Sequence, residues 1–205
     1  MLKAAMEAMP LIAILRGVKP EEVGAIGRVL YESGLRCIEV PLNSPNPFES
    51  IRILAESMPR DCLVGAGTVT NAEDVERVRA AKGRLIVTPN TDTDVIRAAV
   101  AADMYVTPGF ATASDAFAAI KAGATYLKLF PASSYGTQHL RALSAVLPKT
   151  CKVLAVGGIA GEGIEAWKKA GAIGFGMASD LYQPGDSVED VQRKSAAICT
   201  ALRAK

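Results

Sequence analysis

The sequence predicts a closed (β/α)8 barrel, the TIM-barrel class of α/β folds, as a single domain over residues 1–205. Two observations carry that expectation. Short apolar runs of β character alternate with amphipathic helical patterns from end to end, which implies a parallel sheet. There are eight such units, beginning 19 to 26 residues apart, which suits a barrel at the small end of its size range. No linker, low-complexity stretch or internal boundary interrupts them.

The elements follow in order. The opening MLKAAMEAMPLIAILRG holds only a short apolar run with Pro10 inside it, leading straight into Arg16. It reads as a helix fragment and a first strand rather than a signal peptide. The expected strands are 11–17, 37–43, 63–69, 85–90, 104–109, 126–131, 152–158 and 173–179. Helix 20–34 has Pro20 near its start, Gly34 at its end, and Val23, Ile26 and Leu30 near helical spacing. Helix 71–83 takes Asn71 as N-cap, acids in its first turn and Gly83 as C-cap. Further helices follow each later strand, and the last covers residues 187–205. The rival is an open doubly wound sheet, with Gly161-Glu162-Gly163-Ile164-Glu165-Ala166 imitating a dinucleotide fingerprint. Too little chain follows Asp180 to complete a mononucleotide-binding half, so the barrel is preferred.

Composition excludes several functions. Lys plus Arg is 23 against 21 for Asp plus Glu, so no basic excess is available for a nucleic-acid backbone. No apolar run reaches the roughly 20 residues that span a bilayer, and a cytoplasmic protein without a membrane partner is expected. Cys37, Cys62, Cys151 and Cys199 are scattered without a C-x-x-C pair and read as free thiols, three of them beside strand runs. One histidine, His139, excludes sites that need two imidazoles, and it reads as a surface or packing residue.

Catalytic groups in barrels lie at the C-terminal ends of strands, and ionisable residues stand out there. Lys128, within YLKLFP, shares a face with Tyr126 and Phe130, while Leu127 and Leu129 face the helices. A desolvated ammonium loses its proton more readily, which frees the amine as a nucleophile toward a carbonyl. Glu39, within CIEVPLN, likewise opposes Ile38, Val40 and Leu42. The two can converge across the barrel, either as a structural salt bridge or as nucleophile and acid–base partner. Arg16, after Ile12 and Ile14, reads either as a carboxylate clamp or as a partner of Glu39. Thr68 follows Gly65-Ala66-Gly67, whose small residues would leave space for a ligand. Pro89 and Pro108 fix loop shape, with ligand contact secondary. Gly157-Gly158 closes the seventh expected strand and Ser179 the eighth, where barrels often hold phosphate on backbone N–H groups.

The segments IEVPLNS, VGAGTV, IVTPN, TPGFAT, LKLFPAS and AVGGI, in this order and spacing, resemble the bacterial 2-keto-3-deoxy-6-phospho-sugar-acid aldolases over essentially the whole chain. The resemblance implies a metal-free class I aldolase on a (β/α)8 barrel, without cofactor and usually a homotrimer. It implies a phosphorylated 2-keto-3-deoxy sugar acid as substrate, with pyruvate and glyceraldehyde 3-phosphate as products. It implies that Lys128 forms the Schiff base and Glu39 is the acid/base. Arg16 and Thr68 would meet the pyruvyl carboxylate region, and Gly157, Gly158 and Ser179 the phosphate. Asn43 and Val156 stand where gluconate-type members typically carry Arg and Thr, which resembles the galactonate type. Three other readings stay open: preference for the gluconate epimer with or without 4-hydroxy-2-oxoglutarate cleavage, a phosphate-binding isomerase, and a non-catalytic phospho-sugar sensor.

Overall fold

The computed structural model describes residues 1–159 and 163–203. Among the described residues nine strands run parallel around a nearly closed barrel: β1 (Leu11–Ile14), β2 (Cys37–Pro41), β3 (Leu63–Gly67), β4 (Leu85–Val87), β5 (Tyr105–Thr107), β6 (Gly109–Phe110), β7 (Tyr126–Leu129), β8 (Lys152–Val156) and β9 (Gly174–Met177). Their order is β5-β4-β3-β2-β1-β9-β8-β7-β6. The sheet's two outermost strands, β5 and β6, are successive in the chain, so the expected barrel closes at Pro108. This is the one strand the sequence reading had as continuous (104–109). Proline has no N–H for a ladder, and here the pairing changes hands across it. Val87 pairs with Thr107 on one side and Gly109 with Lys128 on the other. The Lys128 N–H donates to the Pro108 carbonyl at 2.8 Å.

The helices are α1 (Leu2–Ala8), α2 (Pro20–Glu32), α3 (Pro47–Ser57), α4 (Ala72–Ala80), α5 (Thr93–Ala101), α6 (Ala113–Lys121), α7 (Ala132–Ser144), α8 (Ile164–Ala170) and α9 (Val188–Arg203). Asn71 caps α4 as expected, its side chain accepting from the Asp74 N–H at 2.8 Å. Gly83 is not the left-handed C-cap; Lys82 takes that conformation with φ +64°. Gly83 is needed for closeness instead, because a Cβ there would meet Val78 and Ile51. Gly161 and Glu162 of the dinucleotide-like pattern, and the end of the last expected helix, lie outside the described residues.

Period-two alternation along the strands sorts side chains into two cores. Leu11, Ala13, Ile38, Val40, Val64, Ile86, Val106, Leu127, Leu129, Val153 and Phe175 face the helices. Ile12, Ile14, Cys37, Leu63, Leu85, Val87, Leu154 and Val156 fill the barrel. Helix α1 adds Leu2, Ala5 and Met6 to that inner core at its N-terminal end. Burying Leu2 and Met6 stabilises this arrangement by roughly 1.5–3 kcal/mol each. The N-terminal ammonium donates to the Tyr105 hydroxyl at 2.8 Å, fixing the start of α1 to the barrel floor. No helix among the described residues is long and apolar enough to cross a membrane.

The strands are shorter than the apolar runs. Arg16, Asn43, Thr68, Pro89, Gly157, Gly158 and Ser179 all fall in the loops just past the strand ends. Positive φ values at Gly17, Thr68, Gly157 and Gly158 turn the chain out of the sheet there.

Candidate active site

Lys128 sits in the middle of β7 and points inward, since Leu127 and Leu129 on either side belong to the helix-facing core. It is 6% exposed, and its Nζ lies 4.6 Å from the centroid of the Phe130 ring. Burial pulls its pKa below the ordinary lysine value, and the nearby Glu39 carboxylate partly opposes that fall. Glu39, in the middle of β2, is 2% exposed. Burial raises its carboxyl to about 7, against the attraction of Lys128 and Arg16. Its Oε2 has no hydrogen-bond partner. Among the described residues, neither Lys128 nor Arg16 comes within 4.0 Å of this carboxylate to form an ion pair. The structural salt bridges that the sequence left open are therefore absent, and each group keeps unsatisfied capacity.

Both groups line one cavity of about 400 Å³ at the C-terminal end of the barrel. Arg16, Val156, Gly157, Gly158 and Ser179 line it too, with Phe130 and Asp180. A cavity of equal volume lies among Arg60, Cys62, Lys82 and Arg84, but no acid lines it and Lys82 is already paired with Glu56 at 2.8 Å.

The rim is held by contacts between loops. Arg16 Nη1 donates to Asn43 Oδ1 at 2.7 Å, and the Gly17 N–H donates to Ser44 Oγ at 2.9 Å. These bonds join the loops after β1 and β2. Across the mouth, Gly157 and Gly158 both take positive φ, +96° and +68°. A Cβ on Gly157 would press on the Phe130 ring, and one on Gly158 would overlap Ser133. The Ser133 N–H donates to the Gly157 carbonyl at 3.0 Å, which docks the start of α7 against this turn. Beyond β9 the chain turns tightly at Ser179. The Leu181 and Tyr182 N–H groups both donate to the Ala178 carbonyl, at 2.8 and 2.9 Å.

Seven of the nine site residues chosen from sequence thus share one cavity. Thr68 and Pro89 stand past the ends of β3 and β4 and do not line it. The glycines before Thr68 also serve differently from the expectation. The space a Cβ would take at Gly67 is filled by the Glu39 carboxylate, and at Gly65 by the Leu85 backbone. His139 packs as expected, stacked on Tyr135 with ring centroids 4.9 Å apart and bonded through Nε2 to the Ala111 carbonyl. The sequence reading passed over Thr107. This residue is fully buried with an unpartnered Oγ1 and lines a small cavity together with Glu39 and Lys128. Its position two residues after Tyr105, on the inward face of the run 104–109, was the available signal.

Residues 2–195 match the family model described as KDPG and KHG aldolase. The chain belongs to the KDPG and KHG aldolase family. Within that family it is 45% identical, over 95% of both chains, to the 2-dehydro-3-deoxy-6-phosphogalactonate aldolase of Escherichia coli strain K12. A solved structure described as native KDPGal superposes with a TM-score of 0.93 at 45% identity, covering 95% of each chain. A second, also at 45% identity and TM-score 0.93, covers 95% of this chain and 72% of its own. It is a cube-shaped protein cage designed by fusing symmetric oligomeric domains. Family membership makes this chain an aldolase, a carbon–carbon lyase.

Proposed function

We propose that the chain is a Schiff-base aldolase that cleaves 2-dehydro-3-deoxy-6-phospho-D-galactonate to pyruvate and D-glyceraldehyde 3-phosphate. One observation carries this reading. A buried amine and a buried carboxylate, unpaired with each other, face one cavity at the strand ends of a KDPG and KHG family barrel.

Lys128, with its proton affinity lowered by burial, attacks the C2 carbonyl to give a carbinolamine. Glu39 protonates the C2 hydroxyl, which leaves as water, and a protonated imine remains. That cation draws the electron pair of the C3–C4 bond as Glu39 takes the C4 hydroxyl proton. Glyceraldehyde 3-phosphate departs, the enamine is protonated at C3, and hydrolysis frees pyruvate. A carboxyl whose pKa sits near 7 can both give and take a proton at neutral pH. Arg16 at the rim clamps the substrate carboxylate, and the turns at Gly157, Gly158 and Ser179 receive the phosphate; Thr68 and Pro89, outside the cavity wall, would reach the pyruvyl side only through the loops after β3 and β4. Val156 offers no hydroxyl to the C4 centre, which with the identity to the galactonate enzyme favours that epimer. We also propose a homotrimer, which the oligomeric use of the related domain supports.

Borohydride treatment with pyruvate tests the reading. Wild-type protein should gain one reduced pyruvyl adduct and Lys128→Ala none; a labelled Lys128→Ala variant would remove Lys128 from the role. Pyruvate release measured with both C4 epimers side by side decides the stereochemical preference.

A further inference from the structure

Strands β1 and β9 join the first and last units of the barrel, and their pairing stops at Ala13 and Met177. Arg16 and Ser179 line the open cavity from the loops beyond that point, residues 15–19 and 178–187. Among the described residues no backbone hydrogen bond links these two loops. Side chains hold them together instead. The Tyr182 hydroxyl donates to Glu22 Oε1 at 2.8 Å. The same oxygen accepts from the Lys19 N–H at 3.0 Å, so the contact reaches the backbone of the first loop. Tyr182 is 2% exposed although Gln183, Pro184 and Gly185 after it are exposed. A phenol buried in this way depends on its protein acceptor, since water is not there to replace it. Burial and the Glu22 carboxylate raise its pKa, which keeps it a donor at ordinary pH. Beside it, Pro184 lies against Gly17, where φ is +83° and a Cβ would overlap the proline ring. The far end of the second loop is fixed separately. There the Asp186 carboxylate pairs with Lys194 at 2.6 Å and accepts from the Gln183 N–H at 2.8 Å.

We infer that the Tyr182–Glu22 bond sets the separation between Arg16 and the turn at Ser179, and so matches the site to an acid of fixed length with a phosphate at its far end. The inference rests on the reading above, which puts the substrate carboxylate at Arg16 and the phosphate at Ser179. Tyr182 and Glu22 are positioning residues, because neither lines the cavity and both act through the loops that do. A ligand that touches both loops feels the distance between them, and one that touches a single loop does not. With the bond in place, a substrate anchored at Arg16 finds the Ser179 turn already where its phosphate arrives. With the bond broken, binding itself must order the two loops, and that cost falls on the two-ended ligand alone.

The experiment compares Tyr182→Phe, Glu22→Ala, Glu22→Gln and the double variant Tyr182→Phe/Glu22→Ala. Each is assayed on the phosphorylated sugar acid and on the same acid without its phosphate. Tyr182→Phe should raise KM for the phosphorylated acid by about 5- to 20-fold, the size expected for losing a bond to a charged group, with kcat within about twofold. Its kcat/KM for the unphosphorylated acid should stay within about twofold, so the preference for phosphate falls by nearly the same factor as KM rises. Glu22→Ala should match Tyr182→Phe, and Glu22→Gln, which keeps the acceptor oxygen, should recover most of the binding. The double variant should lose no more than either single one, as a shared bond requires. An unchanged KM in both Tyr182→Phe and Glu22→Ala would show that the strands alone set the spacing and would overturn the inference. Equal losses on the two acids would mean a general loosening of the barrel, and additive losses in the double variant would mean two unrelated defects; either would overturn it. Wild-type protein that shows no preference for the phosphorylated acid, or traps no pyruvate with borohydride, would bring down the reading of the site itself, and the spacing role with it.

Discussion

The Glu39 carboxylate lies directly over the Cα of Gly67, on the neighbouring strand, in the volume that any side chain at that position would need. A glycine in β3 is thus what lets an acid stand upright inside a packed barrel.

Gly67→Ala should therefore strike catalysis harder than folding. The added methyl forces the carboxylate aside at a cost of roughly 1–3 kcal/mol in stability. Displacing the proposed acid–base group should lower kcat by about 100-fold or more. Circular dichroism melting beside a pyruvate-release assay checks the pair of outcomes. A variant that keeps wild-type turnover would show that the close approach is dispensable.

The acidic limb of the kcat/KM profile should carry a step near pH 7 from Glu39, because the proposed cleavage needs its ionised form. Arg16→Ala should move that limb to higher pH. The guanidinium favours the Glu39 carboxylate and disfavours the Lys128 ammonium. Removing it raises both proton affinities, so both groups shift the limb the same way. A limb that stays in place in Arg16→Ala would mean the charge does not reach the pair.

Glu39→Gln should gain stability as activity is lost, and the gain should depend on pH. The folded carboxyl sits near 7 against an ordinary 4.5, so the native state holds a proton over that window that the unfolded chain has released. Wild-type stability from this group is complete below about pH 4.5 and falls as pH rises toward 7. The Gln variant does not lose it. The difference should grow from nearly nothing at pH 4.5 to on the order of 3 kcal/mol above pH 7. Urea melts at pH 5 and pH 8 measure it, and a gap of equal size at both would refute the burial account.

Asn43→Ala should raise KM by about 3- to 10-fold with little change in kcat. Its Oδ1 accepts from Arg16 at the exposed rim, so the loss concerns where the clamp points rather than the chemistry. Hydrogen bonds to charged groups are worth roughly 1.5–3 kcal/mol, less where water competes. Steady-state kinetics with the phosphorylated substrate decides it, and a loss confined to kcat would contradict the assignment.

Much of this site was legible from alternation alone. Lys128 and Glu39 each interrupt a two-residue period of aliphatic side chains, and that pattern is sufficient to send both inward. The glycine pair after β8 and Ser179 after β9 were likewise found from their place at strand ends. What escaped has a common cause. The Gly65 and Gly67 side-chain spaces are taken by Leu85 and Glu39, from strands on either side, and neighbour-strand contacts are invisible along a single run. Pro108 lies inside an apolar stretch whose pairing switches partners there, a fact of closure that local periodicity does not encode. Thr107 carries no charge, so it did not stand out until its buried oxygen was found to lack a partner. Gly83 and Lys82 exchanged parts because Val78 of the preceding helix α4 and Ile51 of α3 crowd the glycine.

Helix α1 acts as a stopper, and this makes the interior a cul-de-sac. With Leu2 and Met6 corking one end, a molecule that enters past Arg16 must leave by the same doorway. On the proposed chemistry, the fragment tethered to Lys128 would occupy the blind end and the phosphorylated fragment would stand nearer the exit. Departure would then be sequential: the aldehyde would clear the corridor first, and pyruvate would follow once its tether is cut.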